Sequence, residues 1–208
     1  PPPCKAWRPG GGMRRVLVID DHAPSRVLLG KILRECGYEI AGEGTSGKAA
    51  LALARSTAPD VVLIAVGLAD FDGIDAGETI LDSLRLPVVL ITSHYQAQTI
   101  ERANRAGIMA ILLKPVRREA VAPAIEMALA RFQDFIALQQ ENQSLKETLE
   151  ARKLIERAKG LLMQQRGLSE AQAYSLLKKS SMNMRKPMAN VAQAIVTAGD
   201  LASASKSK

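Results

Sequence analysis

Short apolar runs alternate with amphipathic stretches along the first half of the chain. The runs cover residues 16–19, 38–41, 61–66, 88–92 and 110–113. The stretches between them, at about 25–35, 47–56, 74–83 and 97–106, place apolar residues at helical spacing, and several are bounded by glycine or proline. Strands that alternate with helices of this length form a parallel sheet covered on both faces. The pattern therefore predicts an α/β fold, a doubly wound five-stranded parallel sheet.

A long helical pattern follows, from about residue 118 to 166. Its strong breakers are Pro123, near the start where proline is tolerated, and Gly160, so it is one helix or two with a bend. One apolar register can pack on the sheet and consists of Ile125, Leu129, Phe132 and Ile136. A second register has the alternating spacing of a coiled-coil seam and consists of Phe135, Leu138, Asn142, Leu145 and Leu149.

Asn142 is the polar member of the second register. A polar side chain in a coiled-coil seam lowers stability but selects register and dimeric state. The seam formed by Leu138, Asn142, Leu145 and Leu149 therefore predicts a homodimer. The alternative is that this helix packs on the C-terminal segment of its own chain.

Two shorter helices complete the chain. Ser169 and Gln172 have the spacing of a capping box, so a helix is expected from there to about residue 180. Pro187 fits the first position of a last helix with an apolar stripe that includes Val191 and Ile195. The predicted organisation is a disordered leader or vector-derived remnant at 1–12, the α/β domain at 13–124, a helical coiled-coil linker at 125–150, a small all-α three-helix domain at 151–200 and a disordered tail at 201–208.

Positive charge is concentrated at the C-terminal end. The whole chain has a net charge of +7, but residues 13–124 hold 13 basic and 13 acidic side chains. Residues 151–208 hold 11 basic and 3 acidic side chains, a net charge of +8. A strongly basic segment behind a neutral one suggests a polyanionic partner for the basic segment.

Several protein classes are excluded by composition. No run approaches the ~20 apolar residues of a membrane span, and no signal peptide opens the chain, so a soluble cytoplasmic protein is expected. Cys4 and Cys36 are far apart and near no histidine cluster, so neither a disulfide framework nor a zinc site is expected.

Polar side chains follow three of the predicted strands, at the edge of the sheet where such folds bind ligands. Asp20 and Asp21 follow the first strand, Thr92 closes the fourth and Lys114 follows the fifth. Adjacent carboxylates can hold a divalent cation such as Mg²⁺, while a hydroxyl and an ammonium can contact phosphoryl oxygens. No paired nucleophile and base accompany them, so no enzymatic activity is expected.

In this order the residues resemble the receiver domain of two-component response regulators, over roughly residues 14–124, which implies a receiver (CheY-like) fold. The resemblance assigns Asp20, Asp21, Thr92 and Lys114 to the acidic pocket of that family and implies Mg²⁺ binding at the two aspartates. The phosphoacceptor aspartate of the family, at the end of the third strand, corresponds to Ala65. A methyl group cannot be phosphorylated, so control without aspartyl phosphorylation is expected.

Further departures from the receiver pattern accompany Ala65. The loop at 67–69 lacks the Met-Pro pair common in the family, and Ile111 stands where an aromatic residue is usual. Together these departures favour a naturally degenerate receiver over a single engineered substitution. Asp70 and Asp72 lie nearby and are interpreted as ordinary loop carboxylates, not as substitute acceptors.

The acidic pair also has a structural interpretation. Asp20 and Asp21 could remain as a charge pair at the start of a helix, where the helix dipole favours carboxylates. Lys114 would then pair with them. Without an acceptor, this role competes with metal binding.

The motifs of the last segment are the run 152–163, the sequence Glu170-Ala171-x-Ala173-Tyr174 and the run 191–195. Through them the segment resembles, over roughly 145–200, the ANTAR family of RNA-binding antitermination regulators. The resemblance implies binding of RNA stem-loops in nascent transcripts, which prevents formation of a terminator hairpin. The basic residues expected to contact RNA are Arg152, Lys153, Arg157, Lys159, Lys178, Lys179, Arg185 and Lys186. Tyr174 could stack on a base, although a tyrosine at this spacing is more often a core residue.

Two other functions stay open at this point. Basic helices behind a receiver could form a helix-turn-helix, which would make the chain a DNA-binding response regulator. The chain could also be an adaptor, sequestered through its receiver by a partner protein. A sensor kinase or a ligand-sensing protein would be that regulatory partner.

Overall fold

The computed structural model describes residues 13–94 and 96–205, with side chains as far as Gly199. The predicted leader at 1–12 and the last three residues of the predicted tail lie outside the described residues. The chain divides into two compact units, Pro1–Ile136 and Ala137–Lys208. Within the described part, no helix has the length and apolar character needed to cross a membrane.

The first unit is the predicted doubly wound α/β domain. Its elements are β1 (Arg15–Ile19), α1 (Ala23–Glu35), β2 (Glu39–Gly44), α2 (Gly47–Thr57), β3 (Val61–Ala65), α3 (Gly73–Leu84), β4 (Val88–Thr92), α4 (Ala97–Arg105), β5 (Ala110–Leu113) and the start of α5 (Arg118–Arg166). The five strands form one parallel sheet in the order β2-β1-β3-β4-β5. The predicted fold class is confirmed.

Both faces of the sheet are covered, which explains the continuous apolar strands. Val16 and Val18 of β1 face a core shared with α1 and with Val121 and Ile125 of α5. Leu17 and Ile19 face the opposite core, which α2, α3 and α4 cover. All five residues of β3 and of β4 are buried, as expected for central parallel strands. The sheet therefore holds the carboxyl ends of β1, β3 and β4 side by side.

The second unit is helical. It contains the end of α5, followed by α6 (Glu170–Met184) and α7 (Met188–Ser205). The predicted capping box is present: the Ser169 hydroxyl accepts from the Gln172 backbone N–H, and the Gln172 side chain accepts from the Ser169 backbone N–H. The buried core joins the three helices through Ala158, Leu162, Ala173, Leu177, Val191, Ala192 and Val196. Helix α7 continues through the first five residues of the predicted disordered tail.

Candidate functional site

Asp20 and Lys114 form the centre of the pocket at the carboxyl ends of the strands. Asp20 is only 1% exposed, and its Oδ1 accepts from the His22 backbone N–H at 3.0 Å. Lys114 Nζ lies 2.7 Å from Asp20 Oδ2. This contact is an ion pair without hydrogen-bond geometry, and no donor in the described structure makes a hydrogen bond to that oxygen. Of the predicted pairing of Lys114 with both aspartates, the contact with Asp20 is present, whereas Asp21 binds the loop after β3 instead.

The other two predicted pocket residues bind loop backbone. Asp21 Oδ2 accepts from the Ala69 backbone N–H at 3.1 Å, so it ties down the loop after β3. The Thr92 hydroxyl accepts from the His94 backbone N–H and donates to the His94 carbonyl, both at 3.2 Å. The sequence predicted that these side chains lie at the carboxyl-end edge of the sheet. It did not predict their hydrogen-bond partners, which are backbone atoms of loops.

Ala65 is the last residue of β3 and is buried. A Cβ added to Gly73 would lie 1.8 Å from the Ala65 carbonyl oxygen. Only glycine lets the start of α3 approach the end of β3 this closely. Leu68, in the loop between them, is buried in the adjacent core. The end of β3 is thus enclosed by tight backbone packing.

Asp70 and Asp72 act as helix caps. Asp70 accepts from the Ser46 hydroxyl at 2.6 Å and from the backbone N–H groups of Gly47 at 2.9 Å and Lys48 at 3.3 Å, all at the start of α2. The Ser46 hydrogen bond, followed by that from Gly47, lowers the Asp70 pKa from 3.8 to about 2. Asp72 is the N-cap of α3. Both contacts support the interpretation of these residues as ordinary loop carboxylates.

The donor set at the acidic pair does not fit a tightly held Mg²⁺. The Lys114 ammonium already compensates Asp20, and Asp21 is engaged by the loop. Ala65 contributes no oxygen ligand from its side chain. Among the described residues, no group of three His, Cys, Asp or Glu side chains could hold a metal ion. Mg²⁺ keeps several waters and needs only one or two carboxylates, so what disfavours it here is that both aspartates already have other partners.

Helix α6 carries a solvent-exposed stripe opposite its buried face. The stripe consists of Tyr174, Lys178 and Met182 on the helix and Arg185 at its C-cap, and all four are exposed. We call it the α6 stripe. Tyr174 is 46% exposed, so its interpretation as a core residue is wrong. The buried face of α6 uses Ala173 and Leu177 instead.

Lys159 does not lie with the other predicted RNA-contacting residues. It is 8% exposed, and its Nζ lies 2.9 Å from Glu156 and 2.7 Å from Glu170 at the start of α6. The hydrogen bond to Glu170, then that to Glu156, raises the Lys159 pKa. This correction removes Lys159 from the exposed basic surface and gives it a structural role. The remaining predicted basic residues are exposed: Arg152, Lys153, Arg157, Lys178, Lys179, Arg185 and Lys186.

The predicted seam is also exposed. Every residue from 137 to 150 of α5 is exposed, including Asn142. The seam leucines Leu138, Leu145 and Leu149 are 65%, 63% and 53% exposed. In contrast, the first register is confirmed on the α/β domain, where Ile125 and Leu129 are buried.

Two family models match the chain. The response regulator receiver domain matches residues 16–126, and the ANTAR domain matches residues 143–196. The chain belongs to the response regulators with an ANTAR output domain. This regulator is therefore a transcription antitermination regulator by family, and not an enzyme.

This ANTAR response regulator is similar to one relative over most of its length and to others over the receiver part. It is 42% identical to the transcriptional regulatory protein PdtaR of Mycobacterium tuberculosis (strain ATCC 25618 / H37Rv), over 88% of this chain and 89% of that protein. It is 34% identical to the chemotaxis protein CheY of Thermotoga maritima, over 54% of this chain and 94% of that protein. The signal receiver domain of a modulated diguanylate cyclase from Desulfovibrio desulfuricans G20 superposes with a TM-score of 0.55 at 28% identity, over 59% of this chain and 98% of that domain.

Proposed function

We propose that this regulator binds stem-loop RNA in nascent leader transcripts through its ANTAR domain, and that binding prevents a terminator hairpin. The observation that carries the proposal is the α6 stripe. It combines the exposed aromatic ring of Tyr174 with Lys178 on the same helical face and with exposed Arg185 at the C-cap of the helix, within a segment of net charge +8. Because its target is a transcript still being synthesised, we place the protein in the cytoplasm.

The chemistry of the stripe is suited to a folded RNA with an unpaired loop. Lysine and arginine neutralise phosphates and supply most of the affinity, whatever the sequence. Unpaired bases stack on aromatic rings, and a duplex offers no such exposed base face. Tyr174 would stack a loop base while Lys178 and Arg185 contact the flanking phosphates. On α5, Arg152, Lys153 and Arg157 would extend the phosphate contacts.

We infer that the functional form is a homodimer through the seam Leu138, Asn142, Leu145 and Leu149. The exposure of the three seam leucines supports this assignment, because a two-stranded coiled coil would bury them. A dimer presents two ANTAR domains, which suits a leader with two stem-loops.

We infer that control does not use aspartyl phosphorylation. Ala65 has no nucleophile at the acceptor position, the nearby carboxylates are helix caps, and the acidic pair is a poor site for Mg²⁺. Regulation would instead come from a protein that binds the receiver, either a sensor kinase that docks without phosphotransfer or a ligand-sensing sequestering protein. A hydroxylamine-sensitive phosphoprotein formed with a phosphodonor would overturn this inference.

The test of RNA binding is a salt titration of the full chain with a two-stem-loop leader RNA and with a DNA duplex of matched sequence. We expect RNA to bind more tightly, and Lys178→Ala/Arg185→Ala to weaken binding by about tenfold or more and to reduce the salt slope by about two. The matched control is Lys31→Ala/Arg34→Ala on α1, which removes the same charge from an exposed face of the receiver. Preference for the duplex would favour a DNA-binding regulator, and binding to neither would favour an adaptor.

A further inference from the structure

A cavity of about 230 Å³ lies beside the Asp20–Lys114 ion pair. It opens between the first turns of α1 and the segment that follows β5. Pro24, Leu28, Pro115 and Val116 give it mainly apolar walls, and Asp20 and Lys114 line it too. Neither the α6 stripe nor the seam uses this cavity.

Asp20 Oδ2, in the polar part of the cavity, has an ion-pair partner but no aligned hydrogen bond. Asp20 is almost fully buried, yet its Oδ2 accepts no hydrogen bond and has only the ion-pair contact with Lys114. Lys114 compensates the charge of Asp20 but is not aligned for a hydrogen bond to Oδ2, so a donor entering from the cavity would add the missing hydrogen bond. The Lys114 ammonium carries three N–H donors, and the side chain remains 19% exposed, so it can also donate a hydrogen bond to a ligand.

We propose that this cavity binds a free aliphatic α-amino acid. The ammonium of the ligand would donate to Asp20 Oδ2, and its carboxylate would accept from Lys114 Nζ. Its hydrocarbon side chain would pack against Leu28 and Val116. Each ligand charge meets the opposite charge of the protein, so no charge is buried without a partner.

The volume of the cavity limits the size of the ligand. A cavity of about 150 Å³ accommodates benzene, so 230 Å³ has room for roughly nine non-hydrogen atoms. This is the size of leucine and excludes a peptide or a nucleotide. The receiver would then respond to a metabolite bound beside the Asp20–Lys114 pair, in a cavity that Ala65 does not line. This inference does not depend on RNA binding.

The test uses the ¹⁵N-labelled full chain, titrated with L-leucine and followed by NMR. The truncated probes are 3-methylbutylamine, which lacks the carboxylate, and 3-methylbutanoate, which lacks the amine. We expect leucine to shift the amide resonances of His22 and Val116 with a Kd below about 1 mM. Each truncated probe should bind at least about tenfold more weakly, because it leaves one charge of the ion pair without a ligand partner.

Two variants localise the binding. Val116→Phe fills the cavity and should abolish leucine binding, whereas Val27→Phe adds the same bulk at a 70% exposed position of α1 outside the cavity and should not. If Val116→Phe fails to fold, Lys114→Met replaces it: leucine should bind about tenfold more weakly, while 3-methylbutylamine binds as before. The proposal fails if about 10 mM leucine causes no shifts in the folded protein. It also fails if all three probes bind equally or the variant used binds leucine unchanged.

Discussion

Asp70 is a carboxylate close to the receiver pocket that stabilises the fold. Its hydrogen bonds with Ser46 and Gly47 favour the ionised form and hold the pKa at about 2. We expect Ser46→Ala to raise the Asp70 pKa towards 3.8, because the Ser46 hydroxyl is the largest cause of the shift. NMR titration of the carboxyl carbon measures this, with Ser56→Ala in the same helix as control.

The shift has a consequence for stability. Because the folded pKa of Asp70 lies below the unfolded value of 3.8, its contribution is complete above about pH 4 and is lost as the pH falls towards 2. Ser46→Ala should make that acid loss shallower. An Asp70 pKa that stayed near 2 in Ser46→Ala would show that backbone donors alone account for the shift.

Lys159 shows that residue type and helical spacing do not establish whether a basic side chain is exposed. Its predicted role rested on its place among basic residues within two turns of α5. Its actual partner Glu170 lies 11 residues further along the chain, beyond the loop that joins α5 to α6. Helical spacing cannot show which lysine faces the next helix, because that depends on where the chain turns. The sequence therefore predicts that a basic surface exists more easily than it predicts which lysines and arginines form it.

At the scale of elements, the two glycines near the end of α5 have opposite requirements. Gly160 is inside the helix, and an added Cβ would meet no atom within 4 Å. Gly167 is equally open but has a φ of +65° after the helix ends. We expect Gly160→Ala to raise the free energy of unfolding by about 0.5–1 kcal/mol. Gly167→Ala should lower it by about 1 kcal/mol, because only glycine adopts that backbone conformation without cost.

Urea unfolding of the full chain, followed by circular dichroism, measures both changes. The pair is its own control, since each variant adds one methyl group to an open position. Destabilisation by Gly160→Ala would mean that the helix does not run unbroken through this residue.

Most elements were predictable because buried parallel strands and amphipathic helices have different periods. The ends were less predictable. The sequence pattern assigned residue 66 to the third strand, but β3 ends at Ala65. The chain leaves the sheet at Val66, whose carbonyl accepts a hydrogen bond from the Gly73 N–H. The second strand was expected to end at residue 41, but β2 pairs with β1 as far as Gly44. That extension depends on backbone hydrogen bonds, which no apolar pattern records.

The candidate site was predictable to a similar degree. The topology of a doubly wound sheet implied that Asp20 and Lys114 meet, and they do. The cavity beside them and the exposure of Tyr174 depend on how helices pack over the sheet and over one another. Tyr174 follows the buried Ala173 and lies one turn before the buried Leu177, so the apolar pattern alone predicts a core residue until the helix is placed.

At the scale of the whole molecule, the proposed dimer should determine affinity for a two-stem-loop target. Two linked RNA-binding domains convert the second contact into an intramolecular one, which raises avidity without any new contact. The seam is distant in sequence from the α6 stripe, so it can be disrupted separately. Leu138→Glu/Leu145→Glu places charges at two seam positions, and we expect this variant to be monomeric by analytical ultracentrifugation.

The monomeric variant should bind a two-stem-loop RNA about 10²-fold more weakly than the native chain, but a single stem-loop with unchanged affinity. Gln140→Glu/Ser144→Glu is the control, because it adds the same charge at exposed positions of α5 outside the seam. An equal loss on both RNAs would place the seam in the RNA interface. Equal binding of the two-stem-loop RNA by monomer and native chain would show that one ANTAR domain suffices, and that the exposed leucines serve another contact.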